Sequence, residues 1–145
     1  MDYFEIHGLK TLNGVIEVSG AKNAVLPLMA ASILNQGKLK ISNVPTLSDS
    51  ITMSKLLKKM GAEVNFESDN SISVDSSKLD NPFAPYDLVK TMRASFYVLG
   101  PLLARFGNAK VSLPGGCAWG PRPVDFHLDG LKALGVKISI ENGYV

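Results

Sequence analysis

The sequence predicts an α/β fold (α+β by some conventions) in which a β-α-β-α-β-β unit occurs about twice. Apolar residues recur with helical spacing in some segments and alternate with strand spacing in others, and the order of these segments repeats. The clearest match pairs residues 57–64 with residues 131–138, at an offset of 74 positions. We therefore expect repeat one at about 14–76 and an incomplete repeat two at about 86–145.

Repeat one has the full set of expected elements, and each follows from local pattern and punctuation. We expect a strand at 15–18, then an apolar helix at 24–34 that is buried on most faces, then a strand at 38–44. The second helix is capped within 48–50, turns Met53, Leu56, Leu57 and Met60 inward and ends at Gly61. Two strands, Val64/Phe66 and Ile72/Val74, then flank the turn 69–70.

Repeat two follows the same order. We expect a helix from Arg93 to about Phe106, interrupted at Gly100-Pro101, and then a strand marked by Val111 and Leu113. The next helix is capped by Asp125, turns Leu128, Leu131 and Leu134 inward and ends at Gly135. Val136, Ile138 and Ile140 then form a strand that leads into a turn at Asn142-Gly143.

Composition excludes several classes of protein. The chain has 145 residues, 46% of them hydrophobic, and a formal net charge of +2, which is too weak to indicate nucleic acid or an anionic membrane as the main partner. One cysteine and two histidines argue against a disulfide framework and against a structural metal site. The sequence shows no secretion signal and no apolar run long enough to span a membrane, so we expect a cytoplasmic protein.

The most unusual stretch, residues 113–125, contains the only cysteine, Cys117, together with the only tryptophan and several glycines and prolines. A lone cysteine is commonly a small buried apolar residue. However, the glycine-to-glycine spacing around this stretch is 28 positions in repeat two and 24 in repeat one, so four extra residues lie where Cys117 sits. Insertions into one repeat copy map to loops that often bind ligands. Arg122 could favour a thiolate or hold an anion beside the sulfur.

Two further cations occupy equivalent positions in the repeats. Lys22, followed by Asn23, lies where a predicted strand gives way to a helix, and Arg93 occupies the corresponding position in repeat two. Free N–H groups at a helix start form an anion site, although either residue could equally be a solvated surface cation. With Arg122, the pattern suggests a substrate that carries at least two anionic groups.

Other functions remain open from the residues alone. A cysteine hydrolase would use His127 as the base for Cys117, but this histidine falls just inside a predicted helix, where local packing or capping also explains it. The repeat unit also occurs in nucleic-acid-binding modules, yet the lysines here are interleaved with acids. A purely structural or regulatory role is a further alternative.

Three separated motifs, at 19–24, 85–95 and 113–125, resemble the bacterial UDP-N-acetylglucosamine enolpyruvyl (1-carboxyvinyl) transferases, and the resemblance extends over the whole chain. It implies an inside-out α/β barrel of enolpyruvyl transferase type, with three such units in each of two domains. On this reading the chain is similar to the N-terminal third of such an enzyme. Residues 1–21 are then expected to pack with the second domain, and 22–145 to form part of the first.

The resemblance also implies a reaction and its residues. The enzymes move the enolpyruvyl group of phosphoenolpyruvate to the 3′-hydroxyl of UDP-N-acetylglucosamine and release phosphate, without a cofactor or metal. This reaction is the first committed step of peptidoglycan synthesis, so the enzymes serve cell shape and division. A sister transferase acting on shikimate phosphate, which lacks the cysteine loop, is the nearest alternative. The matching positions for catalysis are Cys117, as proton donor and fosfomycin target, and Lys22. Lys22 and Asn23 match phosphoenolpyruvate contacts, and the contacts of the UDP-sugar and of anions match Arg93, Arg122, Pro123, Val124, Asp125 and Phe126.

Overall fold

A computed structural model describes residues 3–8, 11, 13–114 and 123–145. Within these ranges the helices are α1 (Lys22–Ala31), α2 (Ser48–Lys59), α3 (Tyr86–Val89), α4 (Leu99–Phe106) and α5 (Asp125–Ala133), with short 3-10 helices at Ser32–Leu34 and Arg93–Val98. The strands are β1 (Lys38–Ile41), β2 (Glu63–Phe66), β3 (Ile72–Asp75), β4 (Phe83–Ala84) and β5 (Lys110–Val111). None of the described helices combines the length and the apolarity that a membrane crossing requires.

Repeat one forms a three-stranded antiparallel sheet in the order β1-β3-β2. Val74 of β3 lies at its centre, opposite Leu39 on one side and Val64 on the other. The turn between β2 and β3 includes Asn70 at a φ of 55°, which asparagine tolerates better than most residues. The predicted pair of strands around this turn is therefore confirmed.

Helices α1 and α2 pack together and contribute to the core of repeat one. The predicted stripe on α2 is correct, because Met53, Leu56, Leu57 and Met60 are each 0% exposed. The cap of α2 was expected within residues 48–50, but the residue at the N-cap position is Leu47. The N–H of Leu47 donates to Ser50 Oγ over 3.4 Å. The expectation that α1 is buried on most faces is wrong, since Leu28 is 49% exposed.

Repeat two places a 3-10 helix directly before α4, so the predicted interruption lies before Leu99 rather than at Gly100-Pro101. Pro101 falls within the first turn of α4, where a missing N–H costs little. Strands β4 and β5 pair in parallel, and Val111 of β5 also exchanges two 2.9 Å backbone hydrogen bonds with Val145. Helix α5 begins at Asp125, with Val124 and not Asp125 at the N-cap position.

Two predicted strands are absent from the described residues. Residues 15–18 form neither helix nor strand, and Val15 is 97% exposed. Residues 136–140 likewise form no ladder, although the turn that follows is present, with Asn142 and Gly143 at φ of 51° and 79°. Leu134, expected to face inward, is 82% exposed. Apolar alternation is a local signal, whereas a strand also needs a neighbouring backbone to accept and donate its hydrogen bonds.

Candidate anion-binding cleft

A cleft of about 370 Å³ lies where the two repeats meet. Helices α1 and α2 contribute one wall through their first turns, and the start of the 3-10 helix with the start of α5 contributes the other. The side chains that matter for its chemistry are Lys22, Asn23, Asp49, Arg93, Val124 and His127. Helix starts carry partial positive charge, so their convergence favours an anion there.

The start of α1 is positioned by a close backbone contact. The N–H of Gly20 donates to Asn43 Oδ1 over 3.0 Å, and a Cβ atom at Gly20 would lie only 2.0 Å from the Asn43 carbonyl oxygen. Ala21 then precedes the helix, and no side chain of the described residues caps it. Because none of them occupies the helix start, the first N–H groups of α1, at Lys22 and Asn23, are available to an anionic ligand.

Lys22 is held by an acidic neighbour from the next helix. Its Nζ lies 2.5 Å from Oδ2 of Asp49, and the two side chains are 48% and 25% exposed. Asp49 is in the first turn of α2, where the helix dipole stabilises a carboxylate. The cleft therefore contains both a cation and its counter-ion.

The opposite wall presents Arg93 and His127. Arg93 opens the 3-10 helix after Met92, whose backbone is extended, and its side chain is exposed at the cleft. The His127 ring packs edge-to-face on Phe96, with ring centroids 6.0 Å apart and an interplanar angle of 87°. The packing role considered for His127 is thus observed, and the same ring also lines the cleft.

The structure brings together some of the residues predicted for the site. Lys22, Asn23, Arg93 and Val124 all line the cleft. Other predicted residues lie beside it: Pro123 and Asp125 are exposed next to Val124, and Phe126 is 85% exposed and lines a neighbouring apolar groove with Tyr97 and Leu134. Cys117 and Arg122, which are also predicted to belong to the site, lie outside the described residues.

Sequence reasoning missed Asp49 and did not place His127 in the site. Asp49 was visible only as a residue of a helix start, because its contact with Lys22 spans two helices whose packing no local pattern encodes. In the part of the chain that the structure describes, no three histidine, cysteine or acidic side chains cluster in a way that could hold a metal ion. Lys22 on one wall of the cleft and Arg93 on the other suit an anion with more than one charged group.

Comparison with known proteins agrees with this fold. The family model of EPSP synthase (3-phosphoshikimate 1-carboxyvinyltransferase) matches residues 6–145. The chain belongs to the EPSP synthase family. Among solved structures, the enolpyruvyl transferase NikO from Streptomyces tendae superimposes with a TM-score of 0.77 at 27% identity, covering 96% of this chain and 30% of that one. The predicted α/β fold of enolpyruvyl transferase type is confirmed.

Curated relatives in the family are more similar still. Proteins named UDP-N-acetylglucosamine 1-carboxyvinyltransferase from Dichelobacter nodosus and Acinetobacter baylyi are 54% and 57% identical over all 145 residues. This chain spans 35% and 34% of their lengths, or about a third. The predicted resemblance is confirmed at the level of these relatives.

Proposed function

We propose that the complete protein transfers the enolpyruvyl group of phosphoenolpyruvate to the 3′-hydroxyl of UDP-N-acetylglucosamine and releases phosphate. The support is that relatives named for this 1-carboxyvinyl transfer match every residue of the chain at 54% and 57% identity. One observation carries the proposal: Lys22 and Arg93, which occupy equivalent positions of the two repeats, line the same cleft. We assign the reaction to the first step of peptidoglycan synthesis in the cytoplasm, and thus to cell-wall growth and division.

The cleft residues fit the binding of phosphoenolpyruvate, which carries a phosphate and a carboxylate. Lys22 and the first N–H groups of α1 contact one anionic group, and the guanidinium of Arg93 contacts the other. Cations beside the phosphate stabilise the negative charge that develops on it as it leaves. In this role Lys22 and Asn23 hold phosphoenolpyruvate, and no cofactor or metal takes part.

The chemical steps add a proton and an alcohol and then eliminate phosphate. The thiol of Cys117 donates a proton to the methylene carbon of phosphoenolpyruvate while the sugar 3′-oxygen bonds to the neighbouring carbon, giving a tetrahedral ketal. Loss of a proton from the new methyl group and cleavage of the carbon–oxygen bond to phosphate then regenerate the double bond. The base that accepts the hydroxyl proton comes from outside residues 1–145.

Residues 122–126 form the proposed contact with the UDP-sugar. Support comes from Val124, which is buried in the cleft wall, and from its neighbours Pro123, Asp125 and Phe126, whose side chains are exposed beside the cleft. Arg122 lies two positions before Val124 in the sequence. A guanidinium there would pair with the diphosphate, which explains an arginine in preference to a lysine.

We further propose that 22–145 is part of the first domain and that 1–21 contacts the second. Large apolar side chains in the early segment are open to solvent, including Phe4 at 97%, Ile6 at 86% and Ile16 at 87% exposed. Clusters of exposed apolar groups mark surfaces that bind other protein. The chain alone would then lack residues that the reaction needs.

The direct test uses the complete reading frame incubated with phosphoenolpyruvate and UDP-N-acetylglucosamine, with phosphate release as the readout. We expect release that fosfomycin abolishes and that the Cys117→Ala variant lacks. Phosphate release that survives both would refute the role of Cys117, and release with shikimate 3-phosphate instead of the UDP-sugar would assign the protein to the sister reaction.

A second test concerns the helix-start anion site. Lys22→Ala should weaken phosphoenolpyruvate binding about tenfold or more, because a charge-assisted hydrogen bond is lost. Lys78→Ala is the matched control, since Lys78 also pairs with an acid, Glu63 at 2.9 Å, but lies outside the cleft. Calorimetry measures both, and equal binding by the Lys22 variant and the wild type would show that the Lys22 ammonium does not contact phosphoenolpyruvate.

A further inference from the structure

The cleft proposed to bind an anion also contains a carboxylate, that of Asp49, which none of the assigned roles explains. The pair between Lys22 Nζ and Asp49 Oδ2, at 2.5 Å, is the shortest ion pair in the described ranges. Asp49 is also the least exposed acid among these pairs, at 25%, whereas the acids of the others are 57% exposed or more. A partly buried pair is screened less by water and salt than a surface pair.

The position of Asp49 is set by α2 and not by Lys22. Ser50, the next residue, fixes the start of this helix: its Oγ accepts the N–H of Leu47 over 3.4 Å and donates to the Pro45 carbonyl oxygen over 2.9 Å. The carboxylate therefore stays at the cleft when its partner is removed or engaged elsewhere. Its negative charge faces any ligand that approaches Lys22.

An incoming anion must share or displace this carboxylate. The Lys22 ammonium has three donors, so it can contact Asp49 and a ligand together, but the two negative charges then repel each other. The repulsion acts on any ligand at this cation. It weighs most on inorganic phosphate, which offers a single anionic group and cannot recover the loss through a second contact at Arg93, as phosphoenolpyruvate can.

We propose that Asp49 is an internal counter-ion that limits the affinity of the cleft for anions and so allows product phosphate to leave. The inference rests on the proposed function for its biological role, although the effect on anion binding does not depend on turnover. Replacing Asp49 should tighten phosphate binding. A residue with a merely structural role would do the opposite, because its loss would disorder the cleft.

The test compares inorganic phosphate binding by the complete protein and its Asp49→Asn variant, using calorimetry without other substrates. Asparagine keeps the shape and an acceptor oxygen but removes the charge. We expect the phosphate Kd to fall about three- to fivefold, the upper range for a pair that is partly open to solvent. Asp87→Asn is the matched control, since Asp87 also lies in the first turn of a helix and pairs with a lysine, Lys90, but not in the cleft. Its Kd should equal that of the wild type.

A double-mutant cycle assigns the effect to the ion pair. In the Lys22→Gln background, Asp49→Asn should change the phosphate Kd by less than about twofold, because phosphate that has lost this cation is no longer held beside the carboxylate. An unchanged or weaker phosphate affinity in Asp49→Asn alone, or the same tightening with and without Lys22, would overturn the proposal.

Turnover separates the two proposals. If the wild-type protein releases phosphate from phosphoenolpyruvate, inhibition by added phosphate should strengthen in Asp49→Asn by the same factor as binding. If it releases none, the proposed function fails, while the binding measurements still decide the role of Asp49.

Discussion

The matching segments 57–64 and 131–138, here called the helix–glycine motif, share one backbone geometry but have different surroundings. The glycines that end α2 and α5, Gly61 and Gly135, have φ of 103° and 90°. In both copies the N–H after the glycine donates to the carbonyl oxygen of the leucine five positions earlier over 3.0 Å. The same eight-residue pattern thus produces the same helix end twice.

Burial differs at equivalent positions of the two copies. Met60, just before the first glycine, is 0% exposed, whereas Leu134, its counterpart, is 82% exposed. Val64 is 1% exposed in β2, while Ile138 is only half-buried and belongs to no strand. The comparison teaches that the motif determines the turn, while a strand and a core form only where other elements cover the motif.

The largest expected effect is at the buried member of the first pair. Met60→Ala should lower the free energy of unfolding by about 2–5 kcal/mol, because it leaves a cavity in the core. Leu134→Ala should change it by less than about 0.5 kcal/mol, as expected for an exposed side chain. Urea unfolding followed by circular dichroism measures both, and equal losses would contradict the difference in burial.

The glycines themselves offer the next test. Alanine at either position has to adopt a positive φ, at a cost of about 1–2 kcal/mol. At Gly61 the added Cβ would also lie 2.9 Å from the carbonyl oxygen of Lys78, whereas no atom of the described residues lies within 4 Å of a Cβ at Gly135. Gly61→Ala should therefore destabilise the protein by about 1 kcal/mol more than Gly135→Ala does. Equal unfolding midpoints would show that the neighbouring backbone moves aside freely.

The smallest expected effect is at the turn between β2 and β3, which follows the first copy of the motif. Hydrogen bonds from Lys40 and Ser71 lower the pKa of Asp69, in the β2–β3 turn, to about 2 from its ordinary 3.8. Since the folded pKa is the lower one, this stabilisation is present above about pH 4 and is lost as the pH falls through about 2.

Asp69→Asn should therefore reduce the acid dependence of unfolding between about pH 5 and about pH 2. The control is Asp129→Asn, which removes an exposed acid of repeat two that pairs with Lys132 at 3.5 Å. Urea titrations across this range measure the change. If Asp69→Asn and the wild type lose stability equally in acid, the turn is not held by this carboxylate.

The elements that could be predicted from sequence are those whose signal is local. The α2 stripe and both glycine helix ends were predicted correctly because spacing and φ preference act within a few residues. The strands predicted at 15–18 and 136–140 were wrong because alternation says nothing about whether a partner strand exists.

The same distinction applies to the candidate site. Lys22 and Arg93 were predicted to act together because the repeat relates their positions, and both line the cleft. The contact of Lys22 with Asp49 depends on how α1 and α2 pack, which no single segment encodes. The roles of Cys117 and Arg122 stay predictions.

The placement of the cleft between the repeats has a mechanical consequence. Lys22 and Asp49 belong to one half of the chain, and Arg93 and His127 belong to the other, so a ligand with two charged groups would fasten the halves together. Occupancy would then add contacts that span both halves, so a saturating ligand should raise the melting temperature of the protein.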